Sequence, residues 1–177
     1  GEAFDKVARV LGLPYPGGPQ IEQLARGGNA VVPMPKMLKG SGGYDFSYSG
    51  LKTAVINYVH GKEQKGEMWS RADVAASFQH AALDVLVKKT IEGARETGAR
   101  VVTAGGGVAA NGYLRESLAK ACAEEGLRLV LPVKKHCTDN AAMIAAEGLV
   151  QYRLGHFSPL SLNAEASIPL VRSAGRS

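Results

Sequence analysis

The chain has 177 residues with 21 Lys and Arg against 16 Asp and Glu, a net charge of +5, and 45% hydrophobic residues, so it can bury one ordinary core and is not a disordered tail. No run approaches the ~18 apolar residues that a membrane helix requires, and no charged-then-apolar signal segment opens the chain, which predicts a soluble interior protein with no membrane partner. Cys122 and Cys137 form no C-x-x-C pair and are too few to staple a domain, in keeping with free thiols in a reducing compartment. The 22 glycines stand well above the usual ~7%, pointing to tight turns or close backbone approaches to a ligand. The positive excess permits a nucleic-acid partner without demanding one.

The first residue is Gly1, not Met, and a helical pattern begins at once with Phe4, Val7, Ala8 and Leu11, so the chain reads as cut from something longer. Gly12 is a helix-ending candidate, and the proline-glycine run at 14–19 predicts a rigid turn. A short helix is predicted over 21–25, a loop with at most a brief strand over 27–43, and a helix over 49–60 carrying Leu51, Val55 and Val59. Residues 61–66 read as a charged linker. Ser70 and Asp73 match a capping box, in which hydroxyl and carboxylate each satisfy a free amide at a helix start. The long helix that follows, to Thr97, would line one face with Val74, Phe78, Ala81, Val85 and Leu86 and end at Gly98.

After Gly98 the pattern changes. A β-branched strand over 100–104, a glycine turn, a helix with Leu114, Leu118 and Ala121 up to Gly126, a strand over 127–131 and a helix over 138–154 with Met143, Ala146 and Val150 inward predict a parallel, covered sheet. The organisation is then a mostly helical part at 1–97 with a loop at 27–48, a βαβα unit at 98–156 and a peripheral tail at 157–177.

Two segments carry chemistry. Val101 to Asn111 is a strand ending in Gly105, Gly106 and Gly107 and turning into a helix, which exposes bare backbone to a ligand beside a helix N-terminus. Asn111, read as lying about one turn into that helix, offers both donor and acceptor to a base or ribose edge. A plain strand-to-helix turn needing glycine dihedrals accounts for the same residues, and the run is neither G-x-G-x-x-G nor a P-loop. The second segment, His136 to Met143, groups an imidazole, a thiol, a carboxylate and an amide after a strand, which invites a metal. Thr138, Asp139 and Asn140 equally suit a helix N-cap, and adjacent His136 and Cys137 lack the spacing of a zinc clip. Asp5 and Gly18 are weak signals by themselves, while Trp69 and His80 read as packing residues.

The motifs Gly1-Glu2-Ala3-Phe4-Asp5-Lys6, Tyr15 to Pro19, Phe46 to Thr53, Gly105 to Asn111 and Cys137 to Ala145 occur in an order that resembles the bacterial tRNA N6-adenosine threonylcarbamoyltransferases (TsaD/Kae1/Gcp), formerly called glycoproteases. The resemblance runs from Gly1 to about Pro169. It implies an α/β chain forming part of an actin-like ATPase (ASKHA) fold: a partial carboxyl-terminal lobe with a helical insertion, the amino-terminal half being absent. It implies transfer of a threonylcarbamoyl group from threonylcarbamoyl-AMP to N6 of the adenosine next to the anticodon, in tRNAs that read codons beginning with A. Asp5, Gly18 and Asn111, with the backbone of Gly106 and Gly107, would bind that substrate. Asp139 would be the carboxylate ligand of a divalent metal, iron with zinc or magnesium as alternatives, whose two histidine partners lie in the absent half, so the site is incomplete here.

Other members of the modification complex (TsaB and TsaE) would be partners, and the cytoplasm the location. No residue is assigned as a general base. The additional glycine Gly105 and Ala109, where Ser is frequent, depart from the family pattern and bear on fine geometry. Lys134, Lys135 and His136 could meet tRNA phosphate or simply form a solvated loop. The fragment alone is expected to be inactive. The alternatives are an ATP-dependent small-molecule kinase of the same fold, and a non-catalytic truncated lobe whose long helix leaves apolar area exposed for assembly. A metalloprotease would require a motif such as H-E-x-x-H, which the sequence lacks.

Overall fold

A computed structural model describes residues 1–37, 43–164 and 166, in two compact units, Gly1–Asp139 and Asn140–Ser177. The first unit contains α1 (Glu2–Val10), α2 (Gly17–Ala25), α3 (Ser49–Gln64), α4 (Arg71–Thr97), β1 (Val101–Thr103), α5 (Gly112–Glu124) and β2 (Arg128–Val130), with 3₁₀ turns at Gly107–Ala110 and Lys134–His136. The second contains α6 (Ala141–Arg153). Parts of the sequence-predicted loop at 27–43 and of the tail beyond Phe157 lie outside the described residues.

The apolar spacing of the first helix is realised in full: Phe4, Val7, Ala8 and Leu11 are all buried. Gly12 then takes the left-handed conformation that ends it, with φ of 65°. Phe4 meets Phe78 edge to face at 5.0 Å, joining α1 to α4 in a core shared with Ile21, Leu51, Val55 and Leu83. The α4 start is half a capping box. The Ser70 hydroxyl accepts from the Asp73 amide at 3.2 Å, but the Asp73 carboxylate accepts from the Asn29 amide at 2.8 Å and so ties the loop after α2 to α4.

Several sequence readings are corrected by packing. The proline-glycine run is not all turn, because α2 starts at Gly17; Pro19 falls in the first helical turn, where its missing N–H has no partner to lose. Helix α3 continues through Gly61 to Gln64, shortening the linker. On α4, residues 74–79 are buried on all sides, and Ala82 and Leu83 are buried where Ala81 and Val85 are only half-buried, because α2, α3 and α5 surround this half of the helix. No large apolar residue of α4 is exposed, contrary to the expectation of an assembly surface there.

The strands β1 and β2 pair in parallel, Val102 opposite Leu129, with α5 as the crossover. Among the described residues of the first unit, the sheet is covered on one face and not on both. Val102 is buried with Ile91, Ala94 and Cys122, whereas Val101 and Val130 are 46% and 42% exposed, because α4 and α5 supply a single covering layer. In the second unit, the Asn140 side chain caps α6 by accepting from the Met143 amide at 3.1 Å. No residue of α6 is buried, so Met143, Ala146 and Val150 do not form the inward face expected of them: the described part of this unit is one helix and a short segment, too little to build a core. No helix among the described residues is long and apolar enough to cross a membrane.

Candidate functional site

A cavity of about 380 Å³ opens in the first unit between the start of α1, the first turns of α2 and the 3₁₀ turn after β1. Asp5, Gly18, Gly107 and Asn111, four of the five substrate-binding candidates, line it together although they are separated by up to about a hundred residues of chain. Gly106 is not among its lining residues. Its φ of 85° is what turns the chain from the strand into the wall of the cavity, a conformation that favours glycine.

Each lining residue is set by local structure. The Asp5 carboxylate accepts a hydrogen bond from the Gly17 amide at 2.8 Å, so a side chain of α1 satisfies one of the free amides at the start of α2. Gly17 itself permits that approach, since a Cβ there would lie 2.7 Å from both the Ala8 Cβ and the Asp5 Cα. Gly18 and Gly107 differ. Neither has a left-handed backbone; a Cβ on Gly18 would meet nothing within 4 Å, and one on Gly107 would make ordinary contact with Thr138 at 3.6 Å. The fold does not itself require the bare backbone at these two positions.

Asn111 corrects the sequence reading. It lies outside the helix and is the N-cap of α5: its Oδ1 accepts from the Leu114 amide at 3.0 Å, and its Nδ2 donates to Gln79 Oε1 on α4 at 2.9 Å. The residue is 8% exposed and Gln79 6%. One N–H and one oxygen lone pair of the carboxamide remain for a ligand.

Glu22 is the lining residue that sequence reasoning missed. It sits one helical turn after Gly18, on the same face of α2, and its Oε1 is held by Arg26 Nη2 at 3.0 Å. The i, i+4 relation to Gly18 was the available signal, but it is visible only once α2 is known to begin at Gly17. Phe4, Val108 and Ala110 give the wall an apolar stretch, with Asp5, Glu22, Asn111 and Thr138 as its polar groups. Among the described residues no Lys or Arg lines it. Two carboxylates beside an apolar surface suit a flat ring with hydroxyl or amine donors, such as a nucleoside, more than a naked phosphate.

Behind the cavity, Arg115 fastens the turn to the chain after β2, donating to the Ala109 carbonyl at 2.9 Å and to the Pro132 carbonyl at 3.0 Å. His80 stacks on Tyr113 at 4.3 Å, and Tyr113 donates to Asp84 at 2.6 Å; burial and that carboxylate push the phenol up to about 12. His80 and Trp69 therefore pack as predicted, Trp69 against the main core.

Asp139 is exposed and forms no hydrogen bond or ion pair among the described residues, and the cap of α6 falls to Asn140. His136, Lys134 and Lys135 are also exposed. Among the described residues no three His, Cys, Asp or Glu side chains gather where they could hold a metal ion. One carboxylate does not make an iron, zinc or magnesium site, so the described residues by themselves do not fit such an ion.

A sequence profile of TsaD, tRNA N6-adenosine threonylcarbamoyltransferase, matches residues 1–146. The chain is 54% identical over 171 residues to the tRNA N6-adenosine threonylcarbamoyltransferase of Moorella thermoacetica, covering 96% of this chain and 50% of that protein. It is 52% identical over 172 residues to that of Geobacillus thermodenitrificans and 49% identical over 172 residues to that of Bacillus subtilis, in each case over 97% of this chain and 50% of the relative. The chain thus spans about half the length of the curated relatives it matches. With its predicted motifs in order and the profile covering most of its length, the chain belongs to the tRNA N6-adenosine threonylcarbamoyltransferase family.

Proposed function

We propose that this chain supplies the nucleotide-binding part of an enzyme that transfers a threonylcarbamoyl group from threonylcarbamoyl-AMP to N6 of the adenosine beside the tRNA anticodon, within an actin-like ATPase fold. The observation that carries this is the convergence of Asp5, Gly18, Gly107 and Asn111 on one cavity of nucleoside size and chemistry. In the reaction the N6 amine attacks the carbamoyl carbonyl carbon. A C–N bond forms, the bond from that carbon to the phosphate oxygen breaks, AMP leaves, and N6 gives up a proton. The part assigned to this chain is binding and orientation of the adenosine moiety, which converts an encounter of two substrates into a positioned one. The Asp5 and Glu22 carboxylates would accept from hydroxyl groups, Asn111 would use its remaining donor and acceptor, and the bare walls at Gly18 and Gly107 would admit the ring.

Asp139 is the one residue of this chain proposed as a donor to the divalent ion that the resemblance implies. A cytoplasmic location, tRNA, and TsaB and TsaE as partners belong to the same proposal, which concerns the whole protein. The 177-residue chain alone is proposed to bind nucleotide weakly and not to modify tRNA.

The test supplies the intact protein with its accessory proteins, threonylcarbamoyl-AMP and unmodified tRNA, and measures threonylcarbamoyl-adenosine in the digested tRNA. Product should form, and Asp5→Ala and Asn111→Ala should each reduce it with a raised apparent KM for threonylcarbamoyl-AMP. Both variants matching the wild type would overturn the assignment of this cavity.

A further inference from the structure

Asn111 is the buried amide of the cavity, and its orientation is not its own choice. The Leu114 amide, a free donor at the start of α5, requires an acceptor and takes Oδ1 at 3.0 Å. That bond turns Nδ2 toward α4, where the only bond it makes among the described residues is to Gln79 Oε1 at 2.9 Å. If the carboxamide were turned over, Leu114 N–H would face an NH₂ group and lose its acceptor, so the pair has one satisfied arrangement. Gln79 lies on the buried half of the longest helix, 32 residues earlier in the chain, and does not line the cavity.

We propose that Gln79 is a positioning residue for nucleotide recognition: by accepting from Asn111 Nδ2 it locks the carboxamide that faces the cavity, and so fixes which donor and acceptor an adenosine-bearing ligand meets. The proposal rests on the reading of this cavity as a nucleotide site. Without the Gln79 oxygen, Asn111 keeps its bond to Leu114 but is free to rock about its side-chain torsions, and the N–H that Gln79 accepted is left without its acceptor.

The test is a double-mutant cycle in the intact protein, with AMP as the calorimetric probe and the melting temperature measured in parallel. Gln79→Met keeps the volume and removes the acceptor; it should weaken AMP about tenfold, the size of one lost hydrogen bond. Placed on Asn111→Ala, the same substitution should produce no further loss, because nothing remains to be positioned. Gln79→Glu retains an oxygen acceptor and should bind AMP within about threefold of the wild type, which a merely space-filling role does not predict.

Equal losses from Gln79→Met in the presence and absence of Asn111 would overturn the proposal, as would a Gln79→Glu variant that melts like the wild type yet binds as poorly as Gln79→Met. If Gln79→Met does not fold, Gln79→Leu, which also removes the acceptor, takes its place in the cycle and is read in the same way. Failure of the cavity reading is separately visible: Gly18→Val and Asn111→Ala would then both leave AMP affinity unchanged, and the positioning role would fall with it.

Discussion

Asp5 on α1 accepts a hydrogen bond from the main-chain amide of Gly17 at 2.8 Å, so the carboxylate that lines the cavity proposed for the nucleotide also holds the start of α2 in place. The bond is possible because Gly17 has no Cβ to push the two helices apart. Removing it leaves a half-buried amide without an acceptor. Asp5→Ala should therefore lower stability by about 1 kcal/mol, while Asp5→Asn, which keeps an oxygen acceptor, should lower it by less. Thermal melts of both variants against the wild type check this ordering.

Gly18 gives the opposite expectation. The fold does not need glycine there, and a methyl group placed in the first turn of α2 meets open space. Gly18→Ala should leave the melting temperature unchanged or raise stability by up to ~1 kcal/mol, because alanine loses less backbone entropy in a helix. Gly18→Val, which projects further into the cavity, should cut adenine-nucleotide affinity about tenfold in the intact protein by calorimetry, the cost of a ligand displaced from close contact. A loss of stability in place of a loss of affinity would make Gly18 a structural residue.

Asp139 and Asn140 separate in the same way. Asn140 caps α6 and should cost about 1 kcal/mol when changed to Ala, whereas exposed Asp139 should be neutral within ~0.5 kcal/mol. If Asp139 serves as a ligand in the intact enzyme, Asp139→Ala will melt like the wild type and lose tRNA modification. Elemental analysis adds a control: the 177-residue chain, loaded with iron or zinc and desalted, should retain well below one ion per chain, since a lone carboxylate binds weakly.

The two thiols should be inert in the folded protein. Cys122 and Cys137 are 1% and 4% exposed, and burial pushes the Cys122 thiol above its ordinary range, so less of the reactive thiolate is present at pH 8. Iodoacetamide should label both only as fast as the protein opens, as intact mass measured over time with and without denaturant will reveal.

The sequence by itself determined the helices whose signals are local. Phe4, Val7, Ala8 and Leu11 repeat at the helical period, Ser70 caps its own helix, and Gly98 and Gly126 end their helices as expected, in left-handed turns with φ of 65° and 64°. It also marked Asp5, Gly18, Gly107 and Asn111 through the ordered motifs of the family. Tertiary structure alone decided what these residues do. The start of α2 depends on an acceptor from another helix, the one-sided cover of the sheet depends on where α4 and α5 lie, and the surroundings of Asn111 depend on Gln79, 32 positions away. Glu22 joined the site only because α2 begins early enough to place it on the face of Gly18. Periodicity reports how one segment meets an average interior, whereas a cavity is made by which segments meet one another, and that information is spread along the chain and read out only when it packs.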